Sequence, residues 1–243
     1  LSNAFNQMAQ AIQQEDEDKK AFLATVSHEL RTPISYVKGY SESIQNGFIE
    51  EEQKEEAIRL IAREANRMER LTNELMQLVH ADTEELNELY PIVLAETLRD
   101  AIHLIHAKAK EKQIEILLEA DEELIVEADE QKLKQIFINL LENAIRYSNN
   151  DTTIRLAAKA SGKMAVITVA DKGIGIPQED LPKITERFYR VNKARSRADG
   201  GSGLGLSIVD KLVKQHRGTI TIESVLGKGT TVTIQLPLME DEQ

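Results

Sequence analysis

The sequence contains no cysteine and no tryptophan, and aromatic residues make up only 4% of its 243 positions. The absence of cysteine excludes disulfides, thiolate catalysis and zinc sites built on cysteine. Because aromatic side chains are scarce, aliphatic residues must fill most of the core.

Long apolar runs and an excess of positive charge are missing as well. No stretch of about 18 consecutive apolar residues occurs, which predicts that this chain contains no membrane span. The formal net charge of −11 argues against non-specific nucleic-acid binding, because such binding requires clustered Lys and Arg. The chain begins at Leu1 without an initiator Met, so we expect a fragment of a longer protein.

Residues 1–83 show the periodicity of helices. Apolar side chains recur at helical spacing in two stretches, 22–44 and 58–78, and the segment Asn46–Phe48 interrupts them. We therefore predict two helices joined by a short turn, an antiparallel hairpin. Pairing two hairpins around a two-fold axis would cover the apolar stripe in a four-helix bundle, which predicts a homodimer. Packing of the stripe on the rest of the chain is the alternative.

Residues 84–243 mix helical and strand periods. We predict helices over Leu94–Lys110, Asp129–Ser148 and Leu204–His216, with Asp129 as an N-cap and Gly218 ending the last helix. Strands are predicted over Ile114–Ala120, Thr153–Ala160, Lys163–Ala170, Thr219–Ser224 and Thr230–Leu236. Residues 172–203 lack a regular pattern, and a loop of that length is usually functional or mobile. This order predicts an α/β sandwich with helices on one face of a mixed sheet.

One histidine of the first helix stands in a chemically suggestive string. His28 lies off the apolar stripe and should face solvent, Glu29 follows it, and Thr32 lies one turn further on the same face. A neighbouring carboxylate can accept the imidazole proton or fix its tautomer, which leaves the other nitrogen as a nucleophile. We interpret the remaining histidines as structural or surface residues: His80, His103, His106 and His216.

The string SHELRTP, residues 27–33, closely resembles the H box of sensor histidine kinases. The resemblance implies that His28 is the phosphoacceptor and that Glu29 is the general base for autophosphorylation. It also implies that Thr32 helps to hydrolyse the phosphoryl group on the partner protein, so a phosphatase activity is expected beside the kinase activity.

Polar residues that suit phosphate and a hard cation occupy the helix predicted over 129–148. Asn139 and Asn143 are four positions apart and therefore share one face. Amide oxygens are good neutral ligands for such a cation, and Arg146 and Tyr147 add a phosphate-binding cation and an aromatic ring near the same end. Ordinary amide caps on an amphipathic helix are the alternative.

Two glycine-rich segments complete a possible nucleotide pocket. Asp171, Gly173 and Gly175 follow a predicted strand, where glycine lets the backbone approach a ligand and a buried carboxylate can accept from an amine. The run 200–206 opens the helix predicted from Leu204, and such a helix N-terminus can bind phosphates. The pattern is neither a P-loop nor a Rossmann fingerprint.

Between the two glycine-rich segments lies the run ERFYR, residues 186–190. In chain order, the asparagine helix, the first glycine segment, this run and the second glycine segment resemble the N box, first glycine box, F box and second glycine box of the histidine-kinase ATPase domain, an α/β sandwich shared with gyrase, Hsp90 and MutL. The resemblance implies ATP and Mg²⁺ as cofactors, with Asn143 as the metal ligand. It implies a nucleotide-binding set that comprises Asn139, Asn143, Arg146, Tyr147, Asp171, Gly173, Gly175, Ile176, Phe188, Gly201, Gly203, Leu204 and Gly205. Asp171 would bind the adenine amine, and Phe188 would anchor the lid.

Hydrolases of that superfamily place a Glu one turn before the metal-binding Asn, where this chain has Asn139, which cannot act as a general base. The resemblance therefore implies phosphoryl transfer to His28 and then to an Asp of a response-regulator receiver domain. Two alternatives remain: an ATPase or chaperone-like module of the same superfamily, and a non-catalytic dimeric scaffold.

The resemblance also divides the chain. We expect the end of a HAMP linker or connecting helix (1–18), a dimerisation and phosphotransfer domain (19–83), a hinge (84–92) and a catalytic ATP-binding domain (93–240). The polar segment Gln13–Lys20 is either helical or a flexible linker. If the HAMP resemblance of residues 1–9 holds, the intact protein is anchored in a bacterial cell membrane through a missing N-terminal part, and this chain is its cytoplasmic portion. An arbitrary amphipathic start is the alternative.

Overall fold

The fold is that of a computed structural model, which describes residues 2–83, 88–191 and 201–239. The chain divides into two compact units, Leu1–Glu74 and Leu75–Gln243. Parts of four predicted segments lie outside the described residues: residue 1 of the segment 1–18, 84–87 of the hinge, 192–200 of the irregular region, which includes Gly200, and 240 at the end of the catalytic domain.

The first unit is built from two long helices, α1 (Ser2–Gln45) and α2 (Glu51–Thr83), of which α2 extends into the second unit. The predicted turn between them is confirmed, since the Phe48 amide donates to the Ser43 carbonyl at 2.9 Å. Helix α1 runs without a break through Gln13–Lys20, so the helical alternative for that polar segment is confirmed.

Large apolar side chains on both helices of the first unit are exposed within the single chain. Leu23 is 55% exposed, Ile34 51% and Ile58 56%. A soluble protein rarely leaves such an apolar surface uncovered unless it meets a partner. None of the described helices combines the length and the apolar composition that a membrane-spanning helix requires.

The described part of the second unit contains three further helices and two sheets. The helices are α3 (Leu94–Glu111), α4 (Glu130–Tyr147) and α5 (Gly205–Gln215), with a short 3-10 turn at Leu181–Lys183. The strands are β1 (Tyr90–Val93), β2 (Glu115–Ala120), β3 (Ile125–Ala128), β4 (Thr153–Ser161), β5 (Met164–Ala170), β6 (Thr219–Val225) and β7 (Gly229–Pro237).

A five-stranded mixed sheet has the order β2-β4-β5-β7-β6, in which β2 is parallel to β4 and the other neighbours are antiparallel. Helix α4 packs between α3 and α5, and its Phe137 is fully buried. Alternate residues of the central strands, such as Leu156 and Ile167, fill the core. The predicted α/β sandwich is confirmed.

Two local signals can be checked directly. Asp129 is the N-cap of α4, as predicted, because its side chain accepts from the amides of Gln131 and Lys132, both at 3.1 Å. The predicted role of Gly218 at the end of α5 was wrong in detail. Arg217 takes the left-handed conformation with φ of 58°, and the Gly218 amide then donates to the Val213 carbonyl at 2.9 Å.

The sequence did not indicate the antiparallel pair of β1 and β3. Each of these strands has only four residues, and Pro91 lies within β1, so neither shows a clear alternating pattern. Strand β1 begins inside the segment 84–92 that we predict as a hinge, so the part of that segment from Tyr90 onward belongs to a sheet.

Candidate functional site

His28 lies on the exposed surface of α1, as the sequence predicts. It borders a surface depression with a volume of about 400 Å³, lined by His28, Arg31, Thr32, Ser35 and Tyr36. Arg31, Ser35 and Tyr36 were not singled out from the sequence. Their spacing of three, seven and eight residues from His28 places them on the same helix face and could have indicated them.

The hydroxyl groups beside His28 are bonded to the backbone of their own helix. Thr32 Oγ1 donates to the His28 carbonyl at 3.3 Å, and Ser35 Oγ donates to the Arg31 carbonyl at 2.9 Å. Such bonds are weak and local, so the hydroxyls can turn toward another partner at little cost. The structure thus places Thr32 next to His28 but leaves its predicted role untested.

Glu29 is held by the second helix of the hairpin. Its carboxylate pairs with Arg67 Nη2 at 3.3 Å, and Arg67 also contacts Glu64 at 3.5 Å. The side chains of Glu29 and Arg67 are only 13% and 12% exposed, so this pair is more sheltered than a surface ion pair. Arg67 escaped the sequence analysis because it lies 38 residues from Glu29.

Asp171 lies at the exit of β5, with its side chain fixed by backbone donors. Its Oδ1 accepts from the Gly173 amide at 2.8 Å and the Thr230 amide at 3.3 Å. Among the described residues, Oδ2 accepts no hydrogen bond. Burial raises the pKa of this carboxyl, and the two amide bonds oppose that effect. The arrangement leaves one carboxylate oxygen to accept a hydrogen bond from a ligand.

The predicted first glycine segment packs tightly against two parts of the unit. A Cβ on Gly173 would lie 2.8 Å from the Tyr147 carbonyl carbon, at the end of α4. Gly175 has φ of +66°, and a Cβ there would lie 2.7 Å from the Val225 carbonyl carbon in β6. Only glycine fits this close backbone approach without a shift of the neighbouring chain.

Ser224 ties the same segment to the sheet and was missed from the sequence. Its Oγ accepts from the Ile176 amide at 2.8 Å and lies 2.8 Å from the Gly229 carbonyl, to which it donates. Ser224 is buried, and no motif marks it, because its role depends on the contact between residues 48 positions apart.

The predicted lid anchor and the second glycine segment are joined directly. Phe188 has a left-handed backbone with φ of 63°, and its amide donates to the Gly203 carbonyl at 2.9 Å. A Cβ on Gly203 would lie 2.8 Å from the Phe188 carbonyl carbon, so this contact requires glycine. Arg190 Nη2 donates to the Ser202 carbonyl at 2.7 Å, which adds a second connection between the two segments.

The residues that lead into α5 are largely buried and are held by a local hydrogen bond. Leu204 is fully buried, and its amide donates to Ser202 Oγ at 3.0 Å. Gly201 is also buried, and Gly205 is the first residue of the helix. The helix therefore presents its N-terminus, with its partial positive charge, beside Gly205.

Asn143 of α4 faces that N-terminus. Its side-chain amide lies 3.6 Å from the position that a Cβ on Gly205 would occupy, which is ordinary van der Waals contact. Asn139 lies one turn earlier, and its Nδ2 is buried without a hydrogen-bond partner in the described part of the chain. An unpaired buried amide is costly unless a ligand or water satisfies it.

Arg146 and Tyr147 form the last turn of α4 and are half-buried. The Tyr147 carbonyl accepts from the Ile174 amide at 3.1 Å, which joins this turn to the first glycine segment. The structure therefore brings the end of α4, the exit of β5 and the start of α5 together, as the sequence predicts for a nucleotide pocket.

His216 is the one buried histidine of the described residues. Its Nε2 accepts from the Asp129 amide at 3.2 Å, so Nδ1 donates to the Leu212 carbonyl at 2.7 Å. Burial lowers the pKa of His216, which keeps the ring neutral. This geometry agrees with the structural role inferred from the sequence.

Two family models match the chain. Residues 18–84 match the His Kinase A (phospho-acceptor) domain, and residues 128–240 match the histidine kinase-, DNA gyrase B- and HSP90-like ATPase. Sensor histidine kinase WalK of Bacillus subtilis is 35% identical over 94% of this chain and 38% of its own length. Signal transduction histidine-protein kinase ArlS of Staphylococcus aureus is 34% identical over 96% of this chain and 52% of its own. The chain thus spans about half or less of these relatives.

Solved structures of histidine kinases resemble the fold of this chain. Histidine kinase ThkA in complex with response regulator protein TrrA has a TM-score of 0.74 and 27% identity, covering 91% of this chain and 62% of that one. Histidine kinase AdeS of Acinetobacter baumannii has a TM-score of 0.70 and 21% identity, covering 88% of this chain and 98% of that one, which shows the fold. Fold and site define a phosphoacceptor hairpin followed by an ATPase domain. The chain belongs to the sensor histidine kinase family.

Proposed function

We propose that this chain is an ATP-dependent protein-histidine kinase. A nitrogen of His28 attacks the γ-phosphorus of ATP, an N–P bond forms, and the bond from the γ-phosphorus to the bridging oxygen breaks to release ADP. The imidazole loses its proton to a base. The phosphoryl group then passes to an Asp carboxylate of a response regulator, by analogy with the partner of ThkA.

One observation carries this proposal: besides an exposed His28, the chain has an amide, not a carboxylate, at the position where hydrolases of the superfamily activate water. Asn139 stands one turn before Asn143, and an amide is not a general base. Glu142 pairs with Lys108 of α3. The amide at position 139 and the pairing of Glu142 favour transfer of the phosphoryl group to a side chain over direct hydrolysis of ATP. Both weigh against the ATPase alternative.

The geometry also supports specific roles in ATP binding. Asp171 Oδ2 would accept from the exocyclic amine of adenine, with Gly173, Gly175 and Ile176 around the base. The start of α5 would bind phosphates through its backbone amides. The residues proposed to meet the phosphates are Asn139, Arg146, Tyr147, Gly201, Gly203, Leu204 and Gly205. Phe188, whose amide holds Gly203, would anchor the lid.

A magnesium ion fits the donor chemistry of Asn143. Mg²⁺ is usually bound by one or two protein oxygens together with phosphates and waters, and a single amide oxygen facing a phosphate-binding helix end meets that need. The ion would neutralise charge on the phosphates. Asn143 would hold it, and Asn139 would orient the surrounding polar shell through its unpaired Nδ2.

Two residues beside His28 receive proposed roles. Glu29 would take the imidazole proton, for which its carboxylate must share or leave the contact with Arg67. Thr32, whose hydroxyl donates to the His28 carbonyl, would orient water for removal of the phosphoryl group from the response regulator. The protein would then act as a phosphatase too.

We propose that the hairpin forms a homodimer and that the depression around His28 meets the response regulator. The exposed Leu23, Ile34 and Ile58 support dimerisation, since a second hairpin would cover them. A sedimentation measurement that gives only monomer at micromolar concentration would contradict it. The domain bounds, the hinge and membrane anchoring through an N-terminal part stay predictions.

Incubation with γ-labelled ATP and Mg²⁺ tests the proposal. We expect an acid-labile, base-stable label on the protein that disappears in His28→Gln and persists in His106→Gln, an exposed histidine of α3. Label that survives in His28→Gln would refute the phosphoacceptor assignment. Continuous ATP turnover without a phosphoprotein would favour the ATPase, and absence of ATP binding would favour the scaffold.

A further inference from the structure

Lys112 reaches from the end of α3 to the end of α4, where the proposed adenine pocket begins. Its Nζ donates to the carbonyls of Ile145 at 2.9 Å, Arg146 at 2.7 Å and Ser148 at 3.3 Å. Lys112 is half-buried. No motif in the sequence analysis includes it.

These contacts provide hydrogen-bond donors to the carbonyls at the end of a helix. The last carbonyls of a helix have no partner within the helix, and the helix dipole places partial negative charge there. An ammonium group carries a positive charge and three donors, so Lys112 satisfies this end in both respects. Helix α4 is thus capped by a side chain from α3, 33 to 36 residues earlier in the chain.

The carbonyl that Lys112 does not bind serves the nucleotide loop. Tyr147 O accepts from the Ile174 amide at 3.1 Å, and Ser148 forms a β-bridge with Gly173. Gly173 is the residue whose amide orients the Asp171 carboxylate at 2.8 Å. The end of α4 is therefore fixed by Lys112 on one side and supports the adenine loop on the other.

The backbone holds Lys112 itself in place. It is the C-cap of α3, its amide donates to the Ala109 carbonyl at 3.2 Å, and its carbonyl accepts from the Asp151 amide at 3.1 Å. Because Asp151 begins the approach to β4, the lysine is anchored to the turn that follows α4 as well. Its side chain therefore starts from a fixed point.

We infer that Lys112 is a positioning residue for ATP binding: it fixes the last turn of α4 so that the Asp171–Ile174 loop is preorganised for adenine. The inference rests on the proposed function, in which that loop binds the base. Lys112 contacts carbonyls of α4 and Ser148, and it acts on the ligand only through them.

Replacement of Lys112 by Met keeps the length of the side chain and removes the donors. In the whole chain, we expect the KM for ATP to rise about 5- to 20-fold while kcat at saturating ATP changes by less than about two-fold. Exchange of the Ile174 amide hydrogen, followed by NMR without nucleotide, should accelerate. Lys112→Arg keeps charge and donors and should restore most of the KM.

Lys108→Met is the matched control, because Lys108 also joins α3 to α4 but does so through an exposed pair with Glu142. It should leave the KM within about two-fold. A folded Lys112→Met with unchanged KM and unchanged Ile174 exchange overturns the inference. If wild type does not bind ATP, the proposed function fails instead.

If Lys112→Met does not fold, Lys112→Gln replaces it, since the shorter amide reaches fewer carbonyls but remains polar. Its melting temperature should then rise less with saturating ATP than that of wild type, because ATP stabilises in proportion to its binding. An equal rise in both proteins contradicts the role of Lys112.

Discussion

The surroundings of His28 and of Asp171 differ in how firmly they are built. His28 is exposed, and the hydroxyls of the neighbouring Thr32 and Ser35 donate to backbone carbonyls of α1. Asp171 is held by two amides, and the glycines after it touch backbone from α4 and β6. The first site can be reached, and the second is formed in advance.

This difference matches two chemical tasks. A phosphoacceptor that meets first a nucleotide and then a partner protein gains from an accessible side chain. A pocket that binds one rigid base gains from preorganisation, because less conformational freedom is lost on binding. Near His28, the pair of Glu29 with Arg67 is a firmer contact, because both side chains are largely sheltered from solvent.

We expect the largest effect when a single Cβ atom is added to the preformed pocket at Gly175. Gly175→Ala places a Cβ 2.7 Å from the Val225 carbonyl carbon at a φ of +66°. The loop must shift, and we expect ATP affinity to fall by about 100-fold or more, with a lower melting temperature. Gly39→Ala is the matched control, since nothing lies within 4 Å of that position in α1. Calorimetric titration with ATP measures the difference, and equal affinities in the two variants would show that the loop is not constrained.

A change at Asp171 should have a smaller effect on ATP affinity and an opposite effect on thermal stability. Asp171→Asn removes the charge that is proposed to accept from adenine, and ATP affinity should fall about 10- to 100-fold. Burial raises the pKa of Asp171 above its ordinary 3.8, so the stability that the protonated carboxyl contributes is complete below pH 3.8 and is lost as the pH rises through the raised pKa. At pH 7 the unliganded variant should therefore melt higher than wild type. A variant that loses both ATP affinity and thermal stability contradicts this account.

The next prediction concerns the ion pair of Glu29 and Arg67 in the hairpin that carries His28. If Glu29 and Arg67 form a real contact between α1 and α2, Glu29→Gln and Arg67→Gln should each lower the free energy of unfolding. The double variant should lose less than the sum, with a coupling energy of about 1 kcal/mol. Thermal unfolding of the four proteins gives this value. A coupling near zero would show that no fixed contact restrains the His28 segment.

The sequence predicted the elements and most of the site because the relevant signals are local. Asp129 caps α4 through residues two and three positions away, and His28 faces solvent because of its place in a helical repeat. Contacts between distant segments left no such trace. Ser224 lies 48 residues from Ile176, and Arg67 lies 38 from Glu29, so only the folded chain shows that they meet.

The same distinction explains the error at the end of α5. Glycine is the usual left-handed residue after a helix, which favoured Gly218, yet Arg217 takes that conformation. A Cβ on Gly218 would lie 2.5 Å from the Gln235 carbonyl oxygen in β7, so this position needs glycine for a tertiary reason. The preference for glycine after a helix therefore located the end of α5 correctly but assigned the left-handed conformation to the wrong residue.

The smallest expected effect concerns a buried side chain that the site does not use. Burial lowers the pKa of His216 below its ordinary 6.5. The hydrogen bond to the Leu212 carbonyl and the charge of Asp129 oppose this effect, and Lys132 adds to it. As the pH falls below 6.5, His216 takes up a proton in the unfolded chain but not yet in the folded one. The stability that the neutral ring contributes is therefore complete above pH 6.5 and is lost as the pH falls. His216→Gln can still accept from the Asp129 amide but does not titrate. Between pH 7 and pH 5.5, wild type should lose about 1 kcal/mol more of its unfolding free energy than this variant. Urea unfolding at both pH values checks the difference, and parallel curves would mean that His216 is already protonated in the folded state or that its proton uptake is unchanged by folding.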